Sequence, residues 1–64
     1  MPVVRKMEKD LWEVRSKLDH RIARILFSVD GNVMVLLHGF IKKSQKTPQK
    51  DLELAKSRLA QIRG

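Results

Sequence analysis

The sequence has no cysteine, no tyrosine, only three glycines and two prolines, and half as many acidic as basic side chains. Without cysteine the chain has no disulfide framework, no thiol nucleophile and no cysteine-ligated zinc, and this usage fits a reducing compartment. Its longest uncharged apolar run, residues 33–37, is far shorter than a membrane span, and residues 1–10 lack the apolar core of a signal peptide. These absences predict a cytoplasmic protein.

What is present is a small, basic and well-patterned chain. Its 64 residues, 42% of them hydrophobic, predict a single domain over residues 1–64 with one small core and no enclosed substrate pocket. The net charge of +7 attracts polyanions, with nucleic acid first and an anionic membrane or an acidic protein second.

In three segments the side chains follow a period of two, so that alternate residues share a face, which predicts strands at about 10–16, 21–29 and 33–39. Arg24 shares its strand face with Ile22 and Leu26. The Asp-Gly pair at 30–31 predicts a tight hairpin. The third strand is apolar on both faces and is therefore expected to be central, whereas residues 1–10 show no clean period and are expected to form a lead-in.

Thr47 and Pro48 form a helix-start signature, with Thr47 expected as the N-cap and Pro48 as the first helical residue. The helix is predicted over about 48–62, and its apolar stripe is expected in the core: Leu52, Ala55, Leu59 and Ile62. The fold class is therefore α+β, a small antiparallel sheet of about three strands followed by one C-terminal helix. One helix covers only one face of such a sheet, so we expect an uncovered apolar face that needs a partner.

Basic side chains from separate segments are the candidates for binding an anion: Arg15, Arg21, Arg24, Lys42, Lys43 and Lys46. Arg24 has two interpretations, a residue at the sheet margin paired with Glu13 or Asp30, or a fixed guanidinium that binds a phosphate through two hydrogen bonds. The three lysines precede a helix N-terminus, which favours a phosphate site over a merely solvated loop.

Other chemistry has weaker support. His20 and His38 are more typical of structural hydrogen bonding than of catalysis, and no residues stand at a metal-ligand spacing, so neither a metal nor another cofactor is expected. No serine has His and Asp partners, and Trp12 is more typical of a core than of base stacking.

Three segments resemble the RelE/HigB toxin superfamily, and the resemblance is closest to its phage-derived HigB-like branch. They are LWEVR at 11–15, RIARILF at 21–27 and LLHGFIKKSQKTP at 36–48. The resemblance covers about residues 4–62. It implies a RelE-like α+β core and an mRNA interferase, an endoribonuclease that needs no metal and cleaves mRNA on the translating ribosome. Relatives begin with a strand and a helical pair ahead of the Trp12 segment, and we expect this chain to lack them.

The resemblance also assigns roles by position. Arg24, Lys43 and Lys46 match catalytic positions that stabilise the phosphate. Arg15, Arg21, Lys42 and His38 match positions that hold RNA. The general acid and base stay unassigned. The implied partners are mRNA, the ribosome and a helix-turn-helix antitoxin, with a homodimer through the uncovered sheet face also open and no membrane partner. The alternative is a truncated, catalytically weak toxin core that binds RNA, an antitoxin or a second copy.

Overall fold

A computed structural model describes residues 3–43 and 46–63 and shows an antiparallel sheet followed by one helix. Four strands follow one another in space in chain order. The strands are β1 (Val3–Glu8), β2 (Leu11–Lys17), β3 (Ile22–Asp30) and β4 (Val33–Lys42), and the helix is α1 (Gln49–Arg63). The predicted α+β class with one C-terminal helix is confirmed, but the sheet has four strands and not three.

The additional strand, β1, lies in the segment that was expected to be a lead-in. Val4 of β1 pairs with Val14, and the pairing is interrupted by an irregularity between Lys6 and Glu8. Five of its six residues are exposed. Because an edge strand that buries neither face carries no apolar alternation, the period-two test cannot detect it. The expectation that no strand precedes the Trp12 segment is therefore wrong.

The expectation that the last strand is central is also wrong, because β4 is an edge strand paired only with β3 in the four-stranded sheet. An irregularity explains its misleading pattern. Leu26 pairs with His38 while Phe27 pairs with Leu36, so Leu37 is an extra residue on β4. A β-bulge of this kind places two successive side chains on one face. Leu37 is buried under α1 and His38 also faces the helix.

The hairpin between β3 and β4 forms as predicted. Asp30 pairs with Val33 across the two turn residues, and Gly31 has a φ of 61°. A side chain in this left-handed region would collide with its own backbone, so glycine suits the position.

The core lies between α1 and one face of the sheet, which we call the helix face. Its buried members are Leu11, Leu26, Leu37 and Ala55, with Leu52 and Leu59 packed against them. The fourth residue of the predicted stripe, Ile62, is 59% exposed because it lies in the last turn beyond the core. Within the described residues no helix is both long and apolar enough to cross a membrane.

The start of α1 also differs from the prediction. The helix begins at Gln49, and the carbonyl of Pro48 accepts hydrogen bonds from the backbone N–H groups of Asp51 and Leu52, each at 3.1 Å. The Thr47 hydroxyl donates to the Glu13 carboxylate on β2 and so ties the helix start to the sheet.

Candidate functional site

A buried carboxylate, Glu13, lies at the centre of a polar cluster under the start of α1. It shares the helix face with Leu11 because the two residues are separated by one position on β2. Its Oε1 accepts a hydrogen bond from Arg15 Nη2 at 3.0 Å, and its Oε2 lies 3.8 Å from Arg24 Nε. The same Oε2 accepts the hydrogen bond from Thr47. Glu13 therefore joins β2, β3 and the segment before the helix.

Arg15 and Arg24 face each other directly across the β2–β3 register. Like charges opposite each other in a sheet repel, and Glu13 compensates one of the two. Burial lowers the pKa of Arg24, and the positive charge of Arg15 lowers it further, while Glu13 acts in the opposite direction. The trio keeps a net positive charge, which is the electrostatic setting that attracts an anion.

Of the two interpretations of Arg24, the pairing with Glu13 is observed, but the sheet margin is not its location. Its side chain is fully buried on a central strand, and its guanidinium carbon lies 5.9 Å from the ring centre of Phe40. A side chain with no exposed surface does not touch RNA in this arrangement.

His38 takes part in a second cluster that joins β4 to α1. Its Nε2 lies 2.8 Å from Asp51 Oδ1, and Lys42 Nζ donates to the other carboxylate oxygen at 3.0 Å. Arg58 donates to the Leu37 carbonyl at 2.7 Å and lies 3.5 Å from His38 Nδ1. Both ring nitrogens of His38 therefore face protein groups. Its ring also stacks on Phe40 with 5.3 Å between ring centres.

Asp51 connects α1 to β4 through its hydrogen bonds with His38 and Lys42, and the same surroundings have opposing effects on its pKa. Burial alone raises the pKa of this carboxyl group, but the hydrogen bonds with His38 and Lys42 and their nearby charges outweigh burial. The net result is a pKa below the ordinary 3.8. Asp51 also lies in the first helical turn, where the helix dipole favours a negative charge.

The predicted basic residues gather at one end of the molecule, where β2 and β4 end and β3 begins. The pairing of Ile22 with Lys42 places Arg21 and Lys43 at the same border of the sheet. We call this region the basic end and define it by Arg15, Lys17, Arg21, Arg24, Lys42, Lys43 and Lys46. Arg21, Lys43 and Lys46 are exposed, Arg15 and Lys42 are hydrogen-bonded at the rim, and Arg24 is buried. Ser44 and Gln45 of the 36–48 motif lie outside the described residues.

Sequence reasoning named Glu13 as a possible partner of Arg24, and the structure shows that pair. It missed the groups around His38 and Lys42, which are Asp51 and Arg58. Helical spacing is a signal that could have found Arg58, because Asp51, Ala55 and Arg58 lie on one helix face and all three contact the sheet. Thr47 was expected to cap the helix, but its hydroxyl is used by Glu13.

Comparison with family models matches residues 1–60 to the family described as "Phage derived protein Gp49-like (DUF891)". The match covers nearly the whole chain, and the protein belongs to this family. The family is associated with the toxins of toxin–antitoxin systems, which implies an antitoxin as partner. Comparison with curated proteins and with solved structures gives no match.

Proposed function

We propose that this protein is an mRNA interferase, a toxin that cleaves mRNA on the translating ribosome. The observation that carries the proposal is the basic end, where cations from three strands and the β4–α1 segment converge on one border of the sheet. In a toxin-associated family, such a concentration of positive charge suits the RNA backbone.

The chemistry that this site suits is attack by the ribose 2′-oxygen on the adjacent phosphorus. The 2′-hydroxyl loses its proton as its oxygen bonds to phosphorus, the P–O5′ bond breaks, and the leaving 5′-oxygen takes up a proton, which yields a 2′,3′-cyclic phosphate. Because the substrate supplies its own nucleophile, the protein contributes position and charge stabilisation. Neither step requires a bound metal or a cofactor in the proposed reaction.

The exposed cations Lys43 and Lys46 are proposed to contact the reacting phosphate, and Arg21 and Lys42 to bind neighbouring phosphates. Arg15 lies at the rim and is proposed to bind RNA through the part of its guanidinium not used by Glu13. Arg24 was predicted to touch the phosphate. Its burial supports a positioning role, in which it fixes Glu13 and adds positive potential from below the surface. His38 is proposed to hold the helix start beside the site, since both of its ring nitrogens face Asp51 and Arg58.

The test is primer extension on an mRNA being translated in a purified system that contains the antitoxin-free protein. We expect new 5′ ends within A-site codons with the native chain and their loss with Lys43→Ala. The matched control is Lys9→Ala, which removes the same charge from an exposed lysine at the opposite end of the sheet. Equal cleavage by both variants would exclude Lys43 from the site. The absence of cleavage by the native chain would reject the enzymatic proposal.

A second candidate function is a module that binds RNA or a helix-turn-helix antitoxin without cutting. It is favoured by the engagement of Arg24 and His38 with protein groups. RNA binding without new 5′ ends in the primer-extension assay supports this function. An antitoxin complex that blocks the RNA binding would place the two partners on overlapping surfaces.

A further inference from the structure

The sheet face opposite α1, which we call the far face, is almost entirely apolar and, apart from the buried Phe27, is exposed or half-buried. The register places thirteen side-chain positions on it. They are Val4, Lys6, Trp12, Val14, Ser16, Ala23, Ile25, Phe27, Val29, Met34, Leu36, Gly39 and Ile41. No carboxylate is among them, and Lys6 is the single charged residue of the set. Leu36 is 65% exposed, Met34 58% and Ile41 54%.

These residues form a continuous surface, because they are direct partners across the strands. Val14 pairs with Ile25, and Trp12 and Leu36 both pair with Phe27. A sheet is stable when each apolar face packs against another layer, and α1 supplies that layer on the helix face alone. The molecule is accordingly thin, with a smallest extent of 15 Å.

We propose that a second copy of this chain covers the far face, so that two sheets pack face to face between two outer helices. Four strands about 4.8 Å apart, with about eight residues of about 3.3 Å each, present a face of about 500 Å². Two copies then bury about 1,000 Å² in total, which reaches the lower limit for a biological interface. The proposal is independent of RNA cleavage.

Charge determines how the two copies are oriented. The net charges of the two copies repel each other, so the favoured arrangement keeps the two basic ends apart. It has a two-fold axis that lies between the two sheets, parallel to them and perpendicular to the strands. This axis places the two basic ends at opposite extremes of a molecule that is 38 Å long. That separation greatly exceeds the screening length of about 8 Å at physiological salt. The exposed Asp30 of each copy, at the opposite end of the sheet from Arg21 and Lys43, then lies beside the basic end of its partner.

The shape of the far face also suits a second copy. Gly39 lacks a side chain, and a shallow depression of about 540 Å³ lies around it, bordered mainly by Ala23, Ile25 and Ile41. A large apolar side chain from a facing sheet fills such a depression. Side chains of this kind project from the same face, Leu36 and Met34 being the most exposed.

Sedimentation equilibrium of the full chain tests the proposal. We expect twice the single-chain mass of 7.5 kDa and a return to that mass in Leu36→Lys and Ile25→Lys. The matched control is Val33→Lys. Val33 is 60% exposed, but its partner Asp30 lies on the helix face, so the same substitution there leaves the double mass intact. Far-UV circular dichroism checks that all three variants keep the fold.

Trp12 gives an independent measurement, because it is the only tryptophan and lies on the far face. Its emission should move to longer wavelength on dilution of the native chain and should be concentration-independent in Leu36→Lys. A native chain with the single-chain mass at its highest soluble concentration would overturn the proposal. Dissociation of Val33→Lys to the same extent as Leu36→Lys would also overturn it. The same holds for a native chain that stays single and associates only with an acidic amphipathic peptide.

Discussion

At the residue scale, the defining feature of this protein is a carboxylate buried among cations. Glu13 has no exposed surface, and it contacts two arginines and the Thr47 hydroxyl. A buried ionic cluster stabilises a fold only weakly relative to an apolar replacement, but the loss of one partner leaves an uncompensated charge. Glu13 is therefore more important for the arrangement of the basic end than for net stability.

We predict that Glu13→Ala lowers the free energy of unfolding by about 3–5 kcal/mol, the range for removing one partner from a buried ion pair. Urea unfolding measures the loss. The double variant Glu13→Ala with Arg24→Met should recover part of it, because the unpaired guanidinium is gone. A double variant less stable than the single one would show that Arg24 does not depend on Glu13 for charge compensation.

Asp51 predicts a specific pH dependence. Because its pKa in the folded chain lies below the ordinary 3.8, the folded state binds fewer protons than the unfolded state in this range. Its contribution to stability is therefore complete above the unfolded pKa and is lost as the pH falls through the folded pKa. We predict that Asp51→Asn is less stable by about 1.5–3 kcal/mol at neutral pH, the range for hydrogen bonds to charged groups.

Urea unfolding at a series of pH values checks this prediction. The difference between the native chain and Asp51→Asn should narrow below pH 3.8. Asp19→Asn, an exposed aspartate in the β2–β3 turn, serves as the control and should follow the native curve. A difference that stays constant down to the lowest pH would mean that the charge of Asp51 does not stabilise the fold.

At the scale of the elements, turns and irregularities decide where the functional groups point. The bulge at Leu37 brings Leu37 and His38 onto the same face, and the first residue enters the core while the second reaches Asp51. Without the extra residue, strict alternation would turn one of them to the far face. The connection between β4 and α1 is anchored at Thr47 and carries Lys43 and Lys46 at the site.

The β3–β4 hairpin gives a prediction with a built-in comparison. Gly31→Ala should lower the free energy of unfolding by about 1–2 kcal/mol, the cost of a left-handed conformation for a residue with a Cβ atom. Gly39→Ala adds the same methyl group where its nearest neighbours would be ordinary contacts at 3.7 and 3.8 Å, so it should be close to neutral. The urea midpoints of the two variants measure the difference. Equal midpoints would contradict the role assigned to Gly31.

At the scale of the whole molecule, charge and apolar surface are segregated. The predicted RNA-contacting cations lie at one end of the sheet, the core lies under α1, and the far face is apolar. The proposed RNA contacts and the proposed contacts with a second copy therefore lie on different parts of the surface. The proposals for RNA cleavage and for self-association can therefore be tested separately.

The salt dependence of RNA binding is the prediction at this scale. For single strands, the logarithm of affinity falls with the logarithm of salt concentration with a slope of about −0.7 per neutralised phosphate. Lys43→Ala should make the slope shallower by about 0.7, whereas Lys9→Ala should leave it unchanged. Fluorescence anisotropy with a labelled single-stranded RNA measures both slopes. Identical slopes for the two variants would show that the charge of the chain attracts RNA without a defined site.

The sequence by itself determined β2, β3, the hairpin at Gly31 and the helix, because alternation, turn chemistry and helical spacing are local properties of the chain. It also determined which basic residues lie together, since strand order followed chain order. Tertiary structure alone decided the rest. β1 is a strand because β2 pairs with it. Arg24 is buried beside Glu13 and Phe40, and His38 contacts Asp51 because a β-bulge turns it toward the helix. Each of these depends on contacts between distant residues, which a local pattern does not encode.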